Sequence, residues 1–157
     1  MNKHRGMKSE SGYSLIELLV VLAIIAVLTG LAQASFTAQL PHLRLKAAAR
    51  TLVSDLRWAR QLAIAQGQPV QIVLDPERER YRIERQSQPG IPIGWVRDLQ
   101  DRRQGFGEID LVGSSGGRIL TFYPQGTTNS WTTITLKNRT GEQRQITVVA
   151  TGRVKLK

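Results

Sequence analysis

The chain of 157 residues contains no cysteine and only two histidines, His4 and His42. Without cysteine, neither a disulfide framework nor a thiolate metal site can form. The histidines have no catalytic neighbourhood in sequence, and no nucleophile and base can be paired. Acidic residues are also scarce, with 12 Asp and Glu against 22 Lys and Arg and a formal net charge of +10. We therefore expect a protein that is not an enzyme and that has no catalytic residue, cofactor or metal.

Formal charge is also absent from Leu18 to Leu43. About 20 mainly apolar residues suffice for a helix to cross a bilayer, so this run is long enough. The preceding leader carries Lys3, Arg5 and Lys8, and positive residues beside a span tend to stay cytoplasmic. The sequence therefore predicts a single span with its N-terminus in the cytoplasm and the rest of the chain exported.

A carboxylate, Glu17, lies at the start of this apolar run. At the centre of a membrane helix a charge costs about 2.5–3.5 kcal/mol on insertion scales, so it is rarely left without a partner. A secretory signal would have a shorter apolar region followed by its cleavage site, whereas here the glycine precedes the run. A signal-anchor helix that happens to contain a glutamate is the simpler alternative.

The segment with Gly12, Tyr13 and Glu17 resembles the type IV pilin superfamily, whose leader ends in glycine before an aromatic residue, usually Phe, and a glutamate at the fifth mature position. The resemblance implies cleavage between Gly12 and Tyr13 by a prepilin peptidase, usually with methylation of the new amine. It also implies that Glu17 faces the amine of a neighbouring subunit in a filament. Pairing these two ions would offset part of their desolvation cost and fix the axial register.

The helix is predicted to run from Ser14 to Gln66, with a kink or local break at Pro41 and a stop at Gly67. After the proline, apolar residues recur at intervals of three and four, which indicates one buried face. This face comprises Leu45, Ala48, Leu52, Leu56, Ala59 and Ala63. A basic stripe of Lys46, Arg50, Arg57 and Arg60 lies to one side of it.

Alternating apolar residues after the helix predict a hairpin from Val70 to Glu84, with its turn at residues 75–78. The stretch from Ser87 to Gly107 is interpreted as an irregular loop that could contain a short strand. Later strands are predicted at Glu108–Val112, Arg118–Tyr123, Thr132–Lys137 and Gln143–Ala150. The fold class is therefore α+β, with one long helix on a mainly antiparallel sheet. The predicted divisions are a leader at 1–12, a transmembrane and filament-core helix at 13–43, and a periplasmic domain at 44–157.

The segments Leu120–Thr127 and Ala150–Val154 resemble the GspH/FimT branch of the pilin superfamily, which comprises minor pseudopilins of type II secretion and minor pilins of type IV pili. The resemblance implies a minor subunit in the bacterial inner membrane that is extracted into a pilus or pseudopilus. Its implied partners are other pilin-type subunits, the prepilin peptidase and an inner-membrane assembly platform.

The C-terminal residues are strongly basic, which is the pattern of a polyanion site. Some competence-associated members of the branch bind DNA through a Gly-Arg-x-Arg motif, and this chain has Gly152-Arg153-Val154-Lys155. DNA is thus a candidate partner, and uptake of DNA is the alternative to a role in secretion. A solvated basic face is the simpler interpretation. The candidate DNA contacts are Lys137, Arg139, Arg144, Arg153, Lys155 and Lys157.

Overall fold

The computed structural model describes the backbone of residues 14–157 and the side chains of residues 14–30 and 38–157. Helix α1 runs over Leu15–Gln66 and continues through Pro41 without a break. It ends where Gly67 takes a left-handed φ of 62°. The predicted ends of the helix are therefore confirmed to within one residue, whereas the local break considered at Pro41 does not occur. The chain divides after Ala38 into two compact units.

In the first unit, the large apolar side chains from Leu15 to Leu28 are exposed. They lie on helical backbone, in which Thr29 donates a hydrogen bond of 2.7 Å to the carbonyl oxygen of Ile25. Among the described residues, no helical stretch is both long enough and apolar enough to qualify as a membrane span.

In the second unit, the predicted apolar face of the helix is buried, and its six residues are each at most 1% exposed. The basic stripe remains accessible, with Lys46, Arg50 and Arg57 exposed and Arg60 partly buried. The helix therefore supplies one wall of the core and keeps its cations at the surface.

Eight antiparallel strands form two four-stranded sheets where a single sheet was expected. The first sheet has the order β3-β2-β1-β5, and the second has the order β4-β6-β7-β8. The strands are β1 at Val70–Asp75, β2 at Arg80–Arg85, β3 at Pro92–Asp98, β4 at Ile109–Ser114, β5 at Ile119–Phe122, β6 at Thr132–Asn138, β7 at Gln143–Val148 and β8 at Val154–Leu156. The α+β class is confirmed.

Both sheets contribute alternate residues to the same core as the helix. From the first sheet, Ile72, Leu74, Tyr81 and Ile83 are at most 2% exposed. From the second, Ile134, Leu136, Ile146 and Val148 are fully buried. The period-2 alternation of strands places these residues on the inner faces.

Residues 87–107, interpreted as an irregular loop that could contain a short strand, contain the seven-residue strand β3. It pairs with β2 across an irregularity between Arg82 and Glu84, and Gly94 within it has a φ of 90°. Glycine and proline weaken a strand pattern, and both are tolerated at edges and bulges. The composition therefore did not indicate the bounds or the full length of this edge strand.

Candidate assembly and anion-binding sites

Of the N-terminal residues predicted to act in processing and assembly, Gly12 and Tyr13 lie outside the described residues. Glu17 is in the first turn of α1 and is exposed. Its backbone N–H donates a 3.0 Å hydrogen bond to the carbonyl oxygen of Ser14. A carboxylate at this end also interacts favourably with the helix dipole. The side chain is thus placed for an external contact and also has a local effect on the helix.

The structure separates the six candidate DNA contacts into different regions. Arg139, in the turn between β6 and β7, lies 3.2 Å from a carboxylate oxygen of Glu108, and Arg144, in β7, lies 3.2 Å from one of Glu142. Lys137 is opposite Asp110 in the register of β4 and β6. These three cations therefore have acidic neighbours within the domain.

The other three candidates are in or beside β8. Arg153, Lys155 and Lys157 are exposed, whereas Val154 between them is buried. Val154 and Leu156 pair in register with Val148 and Ile146, on the face that carries the core residues. The three cations thus follow the other face of the strand.

Glu108 joins three elements through arginines. Its carboxylate lies 2.5 Å from Arg102, 3.2 Å from Arg139 and 3.7 Å from Arg44. The hydrogen bond from Arg102, helped by the charges of Arg139 and Arg44, lowers the pKa of Glu108 against the opposing effect of desolvation. This cluster holds the β6–β7 turn against the helix and the loop before β4.

An open cleft of about 530 Å³ lies where α1 meets the turn before β8. Three arginines line it, Arg57 and Arg60 from the helix and Arg153 from the tail. The remaining lining residues are Gln61, Thr151, Gly152 and Val154. Sequence reasoning identified the helix stripe and the basic tail separately, but it missed that they meet. The helix stripe and the basic tail are brought together by tertiary packing, which no local sequence pattern indicates.

Two glycines make this close approach possible. The Nε of Arg60 donates a 2.9 Å hydrogen bond to the carbonyl oxygen of Gly126. Gly152 has a φ of 75°, and a Cβ there would lie 2.0 Å from the Gly126 oxygen and 2.6 Å from the Arg60 Nε. Gly152 is therefore required both by its backbone conformation and by the space that Arg60 occupies.

No group of three His, Asp or Glu side chains is placed to hold a metal ion within the described part of the chain. The chemistry available at the cleft is that of guanidinium groups, which bind anions.

Comparison with known proteins identifies the family. The model of the family described as type II transport protein GspH matches residues 48–152. The chain belongs to the GspH family. A second model, the prokaryotic N-terminal methylation motif, matches residues 7–32. Both resemblances stated above are thereby confirmed.

One relative is the type II secretion system protein H of Xanthomonas campestris pv. campestris. It is 34% identical over an alignment of 116 residues, and the match covers 69% of this chain and 69% of the relative. A GspH-family chain with an N-methylation motif is a minor pilin or pseudopilin of type II secretion or of a type IV pilus. The family is one of structural subunits, not a known enzyme family, and it implies assembly with other pilin-type subunits.

Solved structures show the same fold at low sequence identity. The type IV minor pilin FimU of Pseudomonas aeruginosa is 19% identical with a TM-score of 0.57, and the match covers 72% of this chain and 92% of FimU. The minor pseudopilin EpsH from the type 2 secretion system of Vibrio cholerae is 16% identical with a TM-score of 0.54, over 73% of this chain and 96% of EpsH. The pilin-like α+β architecture is therefore shared with both.

Proposed function

We propose that this chain is a minor pseudopilin of a type II secretion pseudopilus, anchored in the inner membrane until it is assembled. The observation that carries the proposal is the Gly12-Tyr13 junction with Glu17 in the first turn of a 52-residue helix. No helical stretch among the described residues qualifies as a membrane span, but the run from Leu18 to Leu43 is uncharged. This run, together with the basic leader before it, supports anchoring with the N-terminus in the cytoplasm and the domain in the periplasm. The 34% identity to a type II secretion protein H favours secretion over a type IV pilus.

In this proposal the prepilin peptidase cleaves after Gly12, and the new amine of Tyr13 pairs with Glu17 of an adjacent subunit. The inner-membrane assembly platform then adds the subunit to the filament. A head-to-tail contact that does not close generates an open helical assembly. The ion pair sets the register because an unpaired carboxylate in an apolar bundle is strongly unfavourable.

Mass spectrometry of the protein isolated from its host tests the processing step. The mature chain should begin at Tyr13, with a methyl group on its amine. A chain that still carries residues 1–12 in assembled filaments would overturn the proposal.

Two substitutions test whether assembly needs the charge of Glu17. Glu17→Gln removes the charge but keeps the shape and hydrogen-bonding capacity, so it should abolish incorporation into filaments as Glu17→Ala does. Insertion and cleavage should persist in both variants. Normal incorporation of Glu17→Gln would show that the charge has no register role.

DNA binding is a second candidate, favoured by the exposure of Arg153, Lys155 and Lys157 along one strand. Such binding would involve phosphates with little sequence preference. The full chain in non-ionic detergent should then shift duplex DNA in a salt-sensitive manner. Lys155→Gln/Lys157→Gln should weaken the shift, whereas Arg139→Gln/Arg144→Gln, which removes carboxylate-paired cations, should leave it nearly unchanged. Absence of a shift at low salt would exclude this function.

A further inference from the structure

The arginines of the cleft differ from most others in their electrostatic surroundings. Among the described residues, ion pairs to carboxylates within 4.0 Å involve nine other arginines, which are Arg44, Arg78, Arg80, Arg82, Arg97, Arg102, Arg118, Arg139 and Arg144. Arg57, Arg60 and Arg153 line one cleft, and none of its lining residues is acidic. Three like charges around one concavity raise its affinity for an anion.

Arg60 is held in place before any ligand binds. Its Nε is bonded to the Gly126 carbonyl oxygen, and its side chain packs against the backbone of Gly152. Arg57 is one turn earlier on the same helix, a spacing that puts the two side chains on one face. Because a fixed guanidinium loses little freedom on binding, less of the interaction free energy is lost to ordering.

The chemistry of the cleft suits a carboxylate, and its size suits a compact segment better than duplex DNA. The planar fork of arginine matches a carboxylate or phosphate in a two-bond geometry. A volume of about 530 Å³ accommodates a few side chains. Duplex DNA presents phosphates about every 3.4 Å along each strand and needs an extended basic track. The cleft is instead a single concavity, and Arg139 and Arg144 are bound to carboxylates elsewhere.

We propose that this cleft binds an acidic segment of a neighbouring filament subunit, with Arg57, Arg60 and Arg153 holding its carboxylates. This inference rests on the proposed function, because the occupant is another pilin-type subunit. Loss of residues 1–12 removes three basic residues and one acidic residue and leaves a formal charge of +8, so an acidic neighbour is the complementary partner. The contact would secure the periplasmic domain in the filament independently of Glu17.

A binding assay with charge-matched variants tests the chemistry. The probe is a fluorescein-labelled oligoglutamate peptide, and the protein is the full chain in non-ionic detergent at low salt. Arg57→Gln/Arg153→Gln should weaken peptide binding about tenfold or more, since each lost charge-assisted pair is worth at least a factor of several. Both positions are exposed, so these changes should not disturb folding.

The control Lys155→Gln/Lys157→Gln removes the same charge outside the cleft and should change peptide binding less than twofold. Equal losses in both variants would indicate nonspecific attraction and overturn the inference. The inference would also be overturned if the peptide bound weakly while duplex DNA bound tightly through Lys155 and Lys157.

Crosslinking in the host identifies the occupant. A photoreactive benzoylphenylalanine replaces Gln61, which lines the cleft. In assembled filaments the crosslinked peptide should come from an Asp- or Glu-rich segment of another pilin-type subunit, and Arg57→Gln/Arg153→Gln should abolish the crosslink. If the chain begins at Tyr13 and enters filaments but crosslinks only nucleic acid or no acidic segment, this inference fails while the proposed function stands. If filaments form with residues 1–12 retained, the proposed function fails and the inference fails with it.

Discussion

The phenolic hydroxyl of Tyr81 donates a 2.8 Å hydrogen bond to Oδ2 of Asp55. Arg97 donates from Nε to the same oxygen at 3.0 Å. Asp55 belongs to the helix, Tyr81 to β2 and Arg97 to β3, so one carboxylate joins three elements. Burial, and secondly the charge of Asp55, raises the pKa of Tyr81 well above its ordinary value, which keeps the hydroxyl protonated as a donor.

We expect Tyr81→Phe to lower the free energy of unfolding by about 1.5–3 kcal/mol, the range for a hydrogen bond to a charged group. Of its side-chain partners among the described residues, Asp55 would then keep only Arg97, in a site where the Asp55 side chain is 7% exposed. Urea denaturation of the full chain in detergent, followed by circular dichroism, measures the change. Tyr123→Phe, at a less buried position, is the control and should stay within about 0.5 kcal/mol of the parent.

Acidification should destabilise the domain through Glu108 and Glu142. The hydrogen bond from Arg102 lowers the pKa of Glu108, and that from His42 lowers the pKa of Glu142. A depressed pKa in the folded state contributes stability above the unfolded value, and this contribution is lost as the pH falls through the folded pKa. Melting temperatures measured downward from pH 5 should therefore decrease.

Substitution of Glu108 tests whether this carboxylate causes the loss of stability at low pH. Glu108→Gln should reduce the melting temperature at pH 7 and also flatten its decrease below pH 5. If the melting temperature of this variant falls as steeply below pH 5 as that of the parent, groups other than Glu108 cause the pH dependence.

Gly152→Ala should destabilise the fold more than the same change at another left-handed glycine. A non-glycine residue with positive φ costs about 1–2 kcal/mol, and the Cβ at residue 152 would also collide with the Gly126 oxygen. Gly141 is a matched control, because it has a φ of 88° and nothing within 4 Å of its Cβ position. If Gly152→Ala and Gly141→Ala have the same urea midpoint, then a Cβ at residue 152 does not collide with Arg60 and Gly126.

Trp95→Ala should loosen strand β3. Trp95 stacks on Trp58 with ring centroids 5.5 Å apart, and the Arg97 guanidinium lies 4.7 Å from its ring centroid. An aromatic pair is worth about 0.5–1.5 kcal/mol beyond its buried area. Hydrogen exchange of the β3 amides should therefore accelerate. Trp131 is 66% exposed, and Trp131→Ala should leave exchange in β3 unchanged.

The local elements were largely predictable from the sequence. Leucines and alanines at intervals of three and four identified the buried helix face, and alternation identified six of the strands. Strand β3 was obscured because its Gly94 and Pro92 disfavour a strand, while Trp58, far away in sequence, helps to hold it. Alternation also identifies the buried residues of each strand without identifying the partner strand, so the division into two sheets was not predictable.

The candidate sites also differ in whether they depend on local sequence or on contacts between distant residues. The Gly12-Tyr13-Glu17 spacing is contained in a few consecutive residues and could be recognised directly. The arginine cleft combines Arg57 and Arg60 with Arg153, and only the packed turn around Gly152 brings them together. The pairing of Arg139 with Glu108 likewise depends on a tertiary contact, whereas Glu142, the partner of Arg144, is only two residues away in sequence.

The strand order has a consequence for how the chain can be divided. β4 belongs to the second sheet although it precedes β5, which returns to the first sheet beside β1. The first sheet therefore takes β5 from the C-terminal side of the Ser114–Ile119 connection, and the second sheet takes β4 from the N-terminal side. A protease nick in that connection would leave two fragments that each lack a strand of their main sheet, and each should recover its fold only by recombining with the other.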